Sequence, residues 1–388
     1  MRVLLVLDSY PPDLNGGAYF THRLAKVLLT LGIEVQVACP SLSLVSHDDD
    51  YEGVPLYRFS SFPSFIYKNF RIINPIHLNK KSCALLTVFK PDIVHLQGKF
   101  ILGNAIFKKA KKMGIPCFAT NHLMPQNFEH YFKIPKFLNA VYTRFVWTWV
   151  FQMYEQLPII VSPTKSGAIE LNKNGFTGRV EVVSCGVDCN LFHQQKNVLE
   201  LKKIFGLPNN FIILYTGRLD KEKNIDVVLK ACAILSKKIS FHLVITGTGK
   251  EENKLKKLAK ELGIDSKVTF TGKINDAEFP DIYKVADVFV NACLVELQCI
   301  SGLEALAAGL PLVLANSLAL PELIDSDLPN GFTFIPNNHI QLAEILYRVQ
   351  TDDVLRKQLG ENSLKLSQVH DLKHTANRYI DIYNRLTK

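Results

Sequence analysis

Residues Asn291–Pro311, NACLVELQCISGLEALAAGLP, decide how the rest of the chain is read. Asp287–Asn291 (DVFVN) is a short β-type run, and Ser301–Ala308 is a run of helix formers closed by Gly309 and followed by Pro311. A strand, a turn and a helix are therefore expected in that order. Glu296 and Glu304 stand with seven residues between them, the first in the turn and the second about one turn into the helix. Both carboxylates can then face a ligand held at the helix N-terminus. There the outward N–H groups of Ile300, Ser301 and Gly302, with the helix dipole, favour an anion. A ligand with phosphates in its middle and hydroxyl-bearing sugars at its ends would use all of these groups. A surface Glu304 and a loop Glu296 on an ordinary α/β unit account for the spacing alone at least as well, so the surrounding chain has to decide.

Upstream, Phe211–Tyr215 is a strand followed by Thr216-Gly217-Arg218-Leu219-Asp220-Lys221-Glu222-Lys223-Asn224 and a helix over Ile225–Leu235. Arg218 and Lys223 sit on that strand-to-helix loop. Two fixed cations there can neutralise charge growing on a departing diphosphate, although a lysine-rich surface loop is the plainer alternative. Phe241–Thr246 and Val268–Thr271 are further strands, the latter leading into Gly272-Lys273-Ile274. The last segment, Leu372–Leu386, reads as an amphipathic helix.

The first half repeats the pattern. Arg2–Leu7 is a continuous apolar run, the mark of a buried parallel strand. A loop, DSYPPDLNGG, and a helix over Ala18–Leu31 follow, with Ile33–Ala38 as the next strand. Gly16 and Gly17 precede that helix, and without a Cβ they let the backbone approach a phosphate closely; a flexible loop would look the same. Lys90–Gln97 and Pro116–Thr120 are strands, and the second runs into His122. The C-terminal end of a parallel strand is where α/β sheets place ligands. Asp48-Asp49-Asp50 and Asp325-Ser326-Asp327 are expected in polar loops and are not read as metal ligands. Tyr131–Val161 holds both tryptophans and seven further aromatic residues, with Lys133, Lys136 and Arg144. It fits a helix buried between layers, with Tyr131–Phe137 as the part suited to a lipid interface.

The totals bound the class. With 388 residues the chain suits two α/β domains, placed here at 1–195 and 196–371 with 372–388 returning to the first. The net charge of +9 is uneven: 20 Lys+Arg against 13 Asp+Glu in residues 1–195, and 25 against 23 in the rest. A basic half suits an acidic partner such as an anionic membrane surface, or simply a basic proteome. No nucleic-acid motif is present. Eight scattered cysteines without zinc spacing point to reduced thiols in a cytoplasm. No run is long and apolar enough to span a membrane.

Gly16-Gly17, His122, Arg218 with Lys223, the Gly272 loop and Glu296 with Glu304 occur in the order found in retaining glycosyltransferases of the E-x7-E group, which this chain resembles over nearly its whole length. The resemblance implies an α/β GT-B fold, two Rossmann-like domains facing across a cleft that closes during turnover, and a C-terminal helix crossing back to the first. It implies a nucleotide-sugar donor, most simply a UDP-hexose, bound without a metal or other cofactor. Arg218 and Lys223 would stabilise the departing phosphate, Glu304 would hold the ribose and Glu296 the sugar hydroxyls. Ile300 and Ser301 amides would support the diphosphate, with the Gly16-Gly17 loop over it. His122 would lie beside the sugar's reacting carbon, and the backbone of Gly272, Lys273 and Ile274 would read the base.

Departures matter too. Gln298 resembles the glutamine of bacterial glucosyltransferases acting on diacylglycerol, whereas Cys299 replaces their glycine, adding a side chain where the sugar packs. Ser184-Cys185 stands for a usual Pro-Asn, and Thr248 and Lys250 depart from a Gly-Asp-Gly-Pro loop. The expected enzyme is thus a hexosyltransferase with a lipid acceptor, peripheral on the inner face of the cell membrane. A soluble or polyprenyl-linked saccharide acceptor, a sugar-nucleotide epimerase and a non-catalytic partner subunit are the alternatives.

Overall fold

Arg2–Val6 (β1) has side chains on both faces that must be buried, and the computed structural model places it inside a mixed eight-stranded sheet. Residues 1–11, 15–64, 71–127, 136–194 and 196–388 are described, without the side chains of Asn127 and Lys136. Two compact units result: Met1–Cys185 with Leu372–Lys388, and Gly186–Asp371.

In the first unit the strands that follow are Glu34–Pro40 (β2), His47–Tyr51 (β3), Val54–Phe59 (β4), Ser61–Pro63 (β5), Arg71–Ile73 (β6), Ile93–Leu96 (β7), Cys117–Thr120 (β8), Ile160–Ser162 (β9) and Val180–Val182 (β10). The large sheet runs β10-β9-β8-β7-β1-β2-β4-β3, and β5 and β6 form a separate pair. All neighbours in the large sheet are parallel except β3 and β4. That hairpin turns at Glu52 and Gly53, with φ of 52° and 80°. Both are positive, as a two-residue hairpin turn of the primed kind requires. The Asp48–Asp50 run is therefore an edge strand and not the loop expected. Asp49 pairs with Arg58 Nε at 2.5 Å, and the Asp50 carboxylate accepts the Gly53 N–H. Charged residues on an exposed edge discourage pairing with another chain.

Leu372–Leu386 belongs to this unit, packing beside the Gly16–Thr30 helix. It buries Leu372, Thr375, Ala376, Tyr379, Ile382 and Tyr383, a helical stripe, and Arg385 forks onto Glu181 at 3.0 and 2.7 Å. The first helix starts at Gly16 and not after the glycine pair, because Asn15 caps it by accepting the Ala18 N–H.

The second unit contains Ile212–Thr216 (β11), His242–Thr246 (β12), Val268–Gly272 (β13), Val288–Asn291 (β14), Leu312–Ala315 (β15) and Gly331–Phe334 (β16), in a fully parallel order β13-β12-β11-β14-β15-β16. Its start at Gly186 precedes the boundary expected at 195 and 196. Val187 bridges to Asp371, and Phe192 is buried with its ring 5.3 Å from that of Tyr283, so 186–193 joins the second core.

The aromatic stretch is a helix over Asn139–Tyr154. It is buried on one side only, through Trp147, Val150, Phe151, Met153 and Tyr154, which corrects the expectation of a helix enclosed all round. Tyr131, Phe132 and Lys133 lie outside the described residues. No helix among the described residues is long and apolar enough to cross a membrane.

Candidate active site

Strand order locates the site in each unit. In the second, the chain leaves β11 for β12 on one side and returns at β14 on the other, so the loops after β11 and β14 diverge. Such a switch point at the carboxyl ends of parallel strands is where open α/β sheets bind ligands. Arg218 and Lys223 lie on the first loop, and Glu296 on the second.

Close backbone contact fixes these loops. The Gly217 N–H donates to the Thr246 carbonyl at 3.0 Å, and the Leu219 N–H to Thr248 at 3.0 Å. Gly247 has φ of +124°, and a Cβ there would sit 2.0 Å from the Gly217 carbonyl oxygen. A side chain is excluded, so only glycine lets the two strand ends approach. The Leu294 N–H donates to the Glu222 carbonyl at 3.2 Å, tying the loop after β14 to the loop after β11.

Charges on these loops meet directly. Lys223 Nζ lies 2.5 Å from Glu296 Oε1, with the two side chains 11% and 16% exposed. Burial, the largest single influence, pulls the Lys223 ammonium down, but Glu296 together with Cys293 and Tyr215 more than offsets it and holds the lysine well above its usual range. Arg218 reaches Asp220 through Nη1 and Glu222 Oε1 through Nη2, the latter at 3.1 Å. Sequence spacing alone does not single out Asp220 and Glu222. Their signal was the acidic residue two and four places after Arg218, which lets one guanidinium fork onto both.

Glu304 lies on the Ile300–Ala307 helix and is only 3% exposed. Tyr283 donates its hydroxyl to Glu304 Oε2 at 2.7 Å, and the Thr216 hydroxyl lies 2.6 Å from the same oxygen of Tyr283. Burial first, then the Glu304 charge, raises the Tyr283 hydroxyl well above its usual range, so it stays a donor. Cys299 is the N-cap: its Sγ accepts the Gly302 N–H at 3.3 Å and an N–H of Asn291 at 3.1 Å. The sulfur therefore turns into the fold, at 2% exposure, and burial pushes the thiol up to about 12. The Ile300 N–H donates to the Gln298 carbonyl at 3.1 Å. Two of the three amides read from sequence as outward are thus used inside the chain, and the anion site narrows to Ser301. Sequence spacing could not show this, because the extra bonds come from a cap sulfur and a tight turn.

Gln298 is half-buried beside Cys299. Gly272 ends β13 with φ of +68°, and its carbonyl accepts the Gly247 N–H at 2.9 Å; Lys273 is exposed and Ile274 packs on the core.

In the first unit Gly16, Gly17 and His122 come together. A Cβ on Gly17 would lie 3.7 Å from His122 Cγ, and the Phe20 ring is 5.2 Å from the imidazole. His122 Nε2 donates to Gln97 Oε1 at 2.8 Å, if the amide is oriented by its second bond, Gln97 Nε2 to His95 Nε2 at 3.1 Å. His95 Nδ1 is 3.0 Å from the Tyr383 hydroxyl. Burial lowers His122 to about 4, so the ring is neutral near pH 7 and offers a hydrogen bond in place of a charge. The sequence places Gln97 and His95 only within a strand. Polar residues in an otherwise apolar run were the available signal.

Family models cover both units: the model described as glycosyltransferase family 4 matches residues 14–191, and that described as glycosyl transferases group 1 matches 198–366. An alpha-monoglucosyldiacylglycerol synthase of Streptococcus pneumoniae is 26% identical over 387 residues, covering 98% of this chain and 86% of that protein. One of the same name from Acholeplasma laidlawii is 25% identical, covering 94% and 92%. Among solved structures, Anabaena Alr3699/HepE in complex with UDP-glucose superposes with a TM-score of 0.78 at 16% identity, covering the whole of both chains. With both units matched and the parallel sheets in place, the chain belongs to the group 1 and family 4 glycosyltransferases of GT-B fold.

Proposed function

We propose that this glycosyltransferase moves a hexose from a UDP-sugar, UDP-glucose in the simplest case, to a membrane lipid, retaining the anomeric configuration and using no metal ion. The observation that carries the reading is the paired Lys223 and Glu296 beside Arg218 at the switch point of the second unit. A diphosphate against Lys223 and Arg218 has its growing negative charge matched by cations already held in position. Glu296 then faces the sugar hydroxyls and Glu304, aimed by Tyr283, takes the ribose. The Ser301 amide supports the phosphates, and Gly272, Lys273 and Ile274 line the base through backbone atoms. His122, neutral near pH 7, hydrogen-bonds the sugar near its reacting carbon, with Gly16 and Gly17 beside it. The leaving phosphate itself takes the acceptor's proton.

Support for the lipid acceptor comes from the relatives named alpha-monoglucosyldiacylglycerol synthase, which match over nearly the whole chain, and support for the donor from a similar fold seen with UDP-glucose. The protein then works on the cytoplasmic face of the membrane as a peripheral enzyme. The test is mass spectrometry of products from a panel of UDP- and GDP-sugars, with and without a membrane lipid extract, repeated with a chelator. A hexose added to lipid, undiminished by the chelator and α-configured by NMR from an α-linked donor, is the expected result. Transfer only to soluble saccharides would remove the lipid acceptor, and loss of activity with the chelator would remove the metal-free mechanism.

A further inference from the structure

The positive charge of residues 1–195 is concentrated in one place. Residues 93–154 hold 8 basic and 1 acidic residue, leaving 12 of each in the remainder of that half. Lys108, Lys111 and Lys112 stand at the exposed end of the Ile101–Lys112 helix, on one face by their spacing. They line a groove shared with Trp149, Gln152 and Gln156. Lys99 crosses the groove floor, its ammonium 4.8 Å from the centre of the Trp149 ring.

The helix Asn139–Tyr154 continues this surface. Val141, Phe145, Trp149 and Gln152 follow one another at intervals of four, four and three residues, so they share a helix face. That face is opposite the buried one carrying Val150 and Tyr154. Phe145 is 70% exposed and Val141 65%, with Phe137 at 81% just before the helix. Apolar side chains at one end of a stripe and a lysine groove at the other match the two layers of a bilayer surface, acyl boundary and phosphates.

We propose that this face of the first unit is the membrane-docking surface, with Val141 and Phe145 entering an anionic phospholipid bilayer and Lys108, Lys111 and Lys112 meeting its phosphates. The choice of a bilayer as partner rests on the lipid-acceptor reading above; the surface itself rests on exposure and charge. A nucleic acid would use the lysines but gain nothing from Val141, and is the competing partner for the test.

The experiment is vesicle flotation of the full chain, with phosphatidylcholine alone and with phosphatidylcholine mixed with phosphatidylglycerol. The protein is expected to float with the anionic vesicles only and to be released as salt rises. Replacing Lys108, Lys111 and Lys112 together by Gln should lower partitioning on the order of 10²-fold, from about fivefold for each. Val141→Ser with Phe145→Ser should lower it at least about tenfold, and what remains should still respond to salt. Far-UV circular dichroism and thermal unfolding should match the wild type in both variants, since all five side chains are exposed, and this guards against misfolding. Flotation equal to wild type in both variants, no flotation of the wild type, or binding of a single-stranded RNA through the same lysines without flotation would each overturn the surface. Glucosylation of lipid in detergent by a chain whose variants float normally leaves the acceptor reading standing and removes the surface. Lost flotation with no lipid product does the reverse.

Discussion

Replacing Lys223 by Met separates the two things that residue does. The substitution removes the ammonium 2.5 Å from Glu296 and leaves a carboxylate only 16% exposed without its partner. Breaking a buried pair from one side costs about 3–5 kcal/mol, and the residual solvent contact of both side chains favours the lower end, about 3 kcal/mol. For a unit of this size each kcal/mol lowers Tm by about 2–4 °C, so a fall of roughly 6–12 °C is expected. Glu296→Gln alone should cost about as much, because the lysine is then the stranded charge. The double variant Lys223→Met/Glu296→Gln should recover most of the loss, to within about 1 kcal/mol of the parent. Activity should behave differently: kcat falls by about 10²-fold in Lys223→Met and stays down in the double variant, since the charge on the leaving phosphate is still unmatched. Thermal and urea unfolding of the four proteins with product assays under saturating donor completes the cycle. Additive stability losses would show that the pair does not hold the loops, and a double variant with restored kcat would show that Lys223 acts only through Glu296.

Three further outcomes are expected. Arg218→Gln should lower kcat by about 10²-fold and destabilise by about 1–3 kcal/mol through the buried Glu222 it leaves behind, with Arg218→Lys an incomplete rescue because an ammonium cannot fork onto both acids; steady-state kinetics and unfolding check this. Gly247→Ala should cost upwards of about 3 kcal/mol and abolish UDP binding by calorimetry, as its Cβ would meet the Gly217 carbonyl at 2.0 Å. His122 is held neutral at about 4 against 6.5 in the open chain, so its contribution is complete above pH 6.5 and lost as pH falls toward 4. That is at most about 3 kcal/mol, less where solvent reaches the ring. Urea unfolding of His122→Gln across that window should therefore give a flatter curve than the wild type, with His95 keeping part of the slope in both; superimposed curves would refute the burial account.

Strands were legible because buried parallel strands demand continuous apolar runs: Arg2–Val6, Ile212–Thr216 and His242–Thr246 fall where such runs were read. The positions of Arg218, Lys223 and Glu296 after strand ends followed from those runs. What sequence left hidden was the use of groups that could bond in more than one way. Cys299 could have faced a ligand, but a buried thiol beside the amide of Gly302 caps the helix instead. Asp48–Asp50 looked like a solvated turn, yet cross-strand partners such as Arg58 made it a strand edge. Exposure of Phe145 depended on which helix face is buried, which periodicity alone could not choose when both faces were apolar.

The return of Leu372–Leu386 to the first unit has a consequence for the order of assembly. Tyr379 and Tyr383 are fully buried there, and their hydroxyls lie 3.1 Å from the Thr120 hydroxyl and 3.0 Å from His95 Nδ1. A ribosome has delivered all of Met1–Cys185 long before it makes those tyrosines, and at about 5–20 residues per second the second unit takes roughly 10–40 s to emerge in between. Over that interval the half-built first unit has a polar-centred hydrophobic seam uncovered, while the later-made unit already possesses its entire sequence. The part synthesised first is the part finished last, so the nascent chain presents to chaperones an incomplete N-terminal unit awaiting its own closing helix.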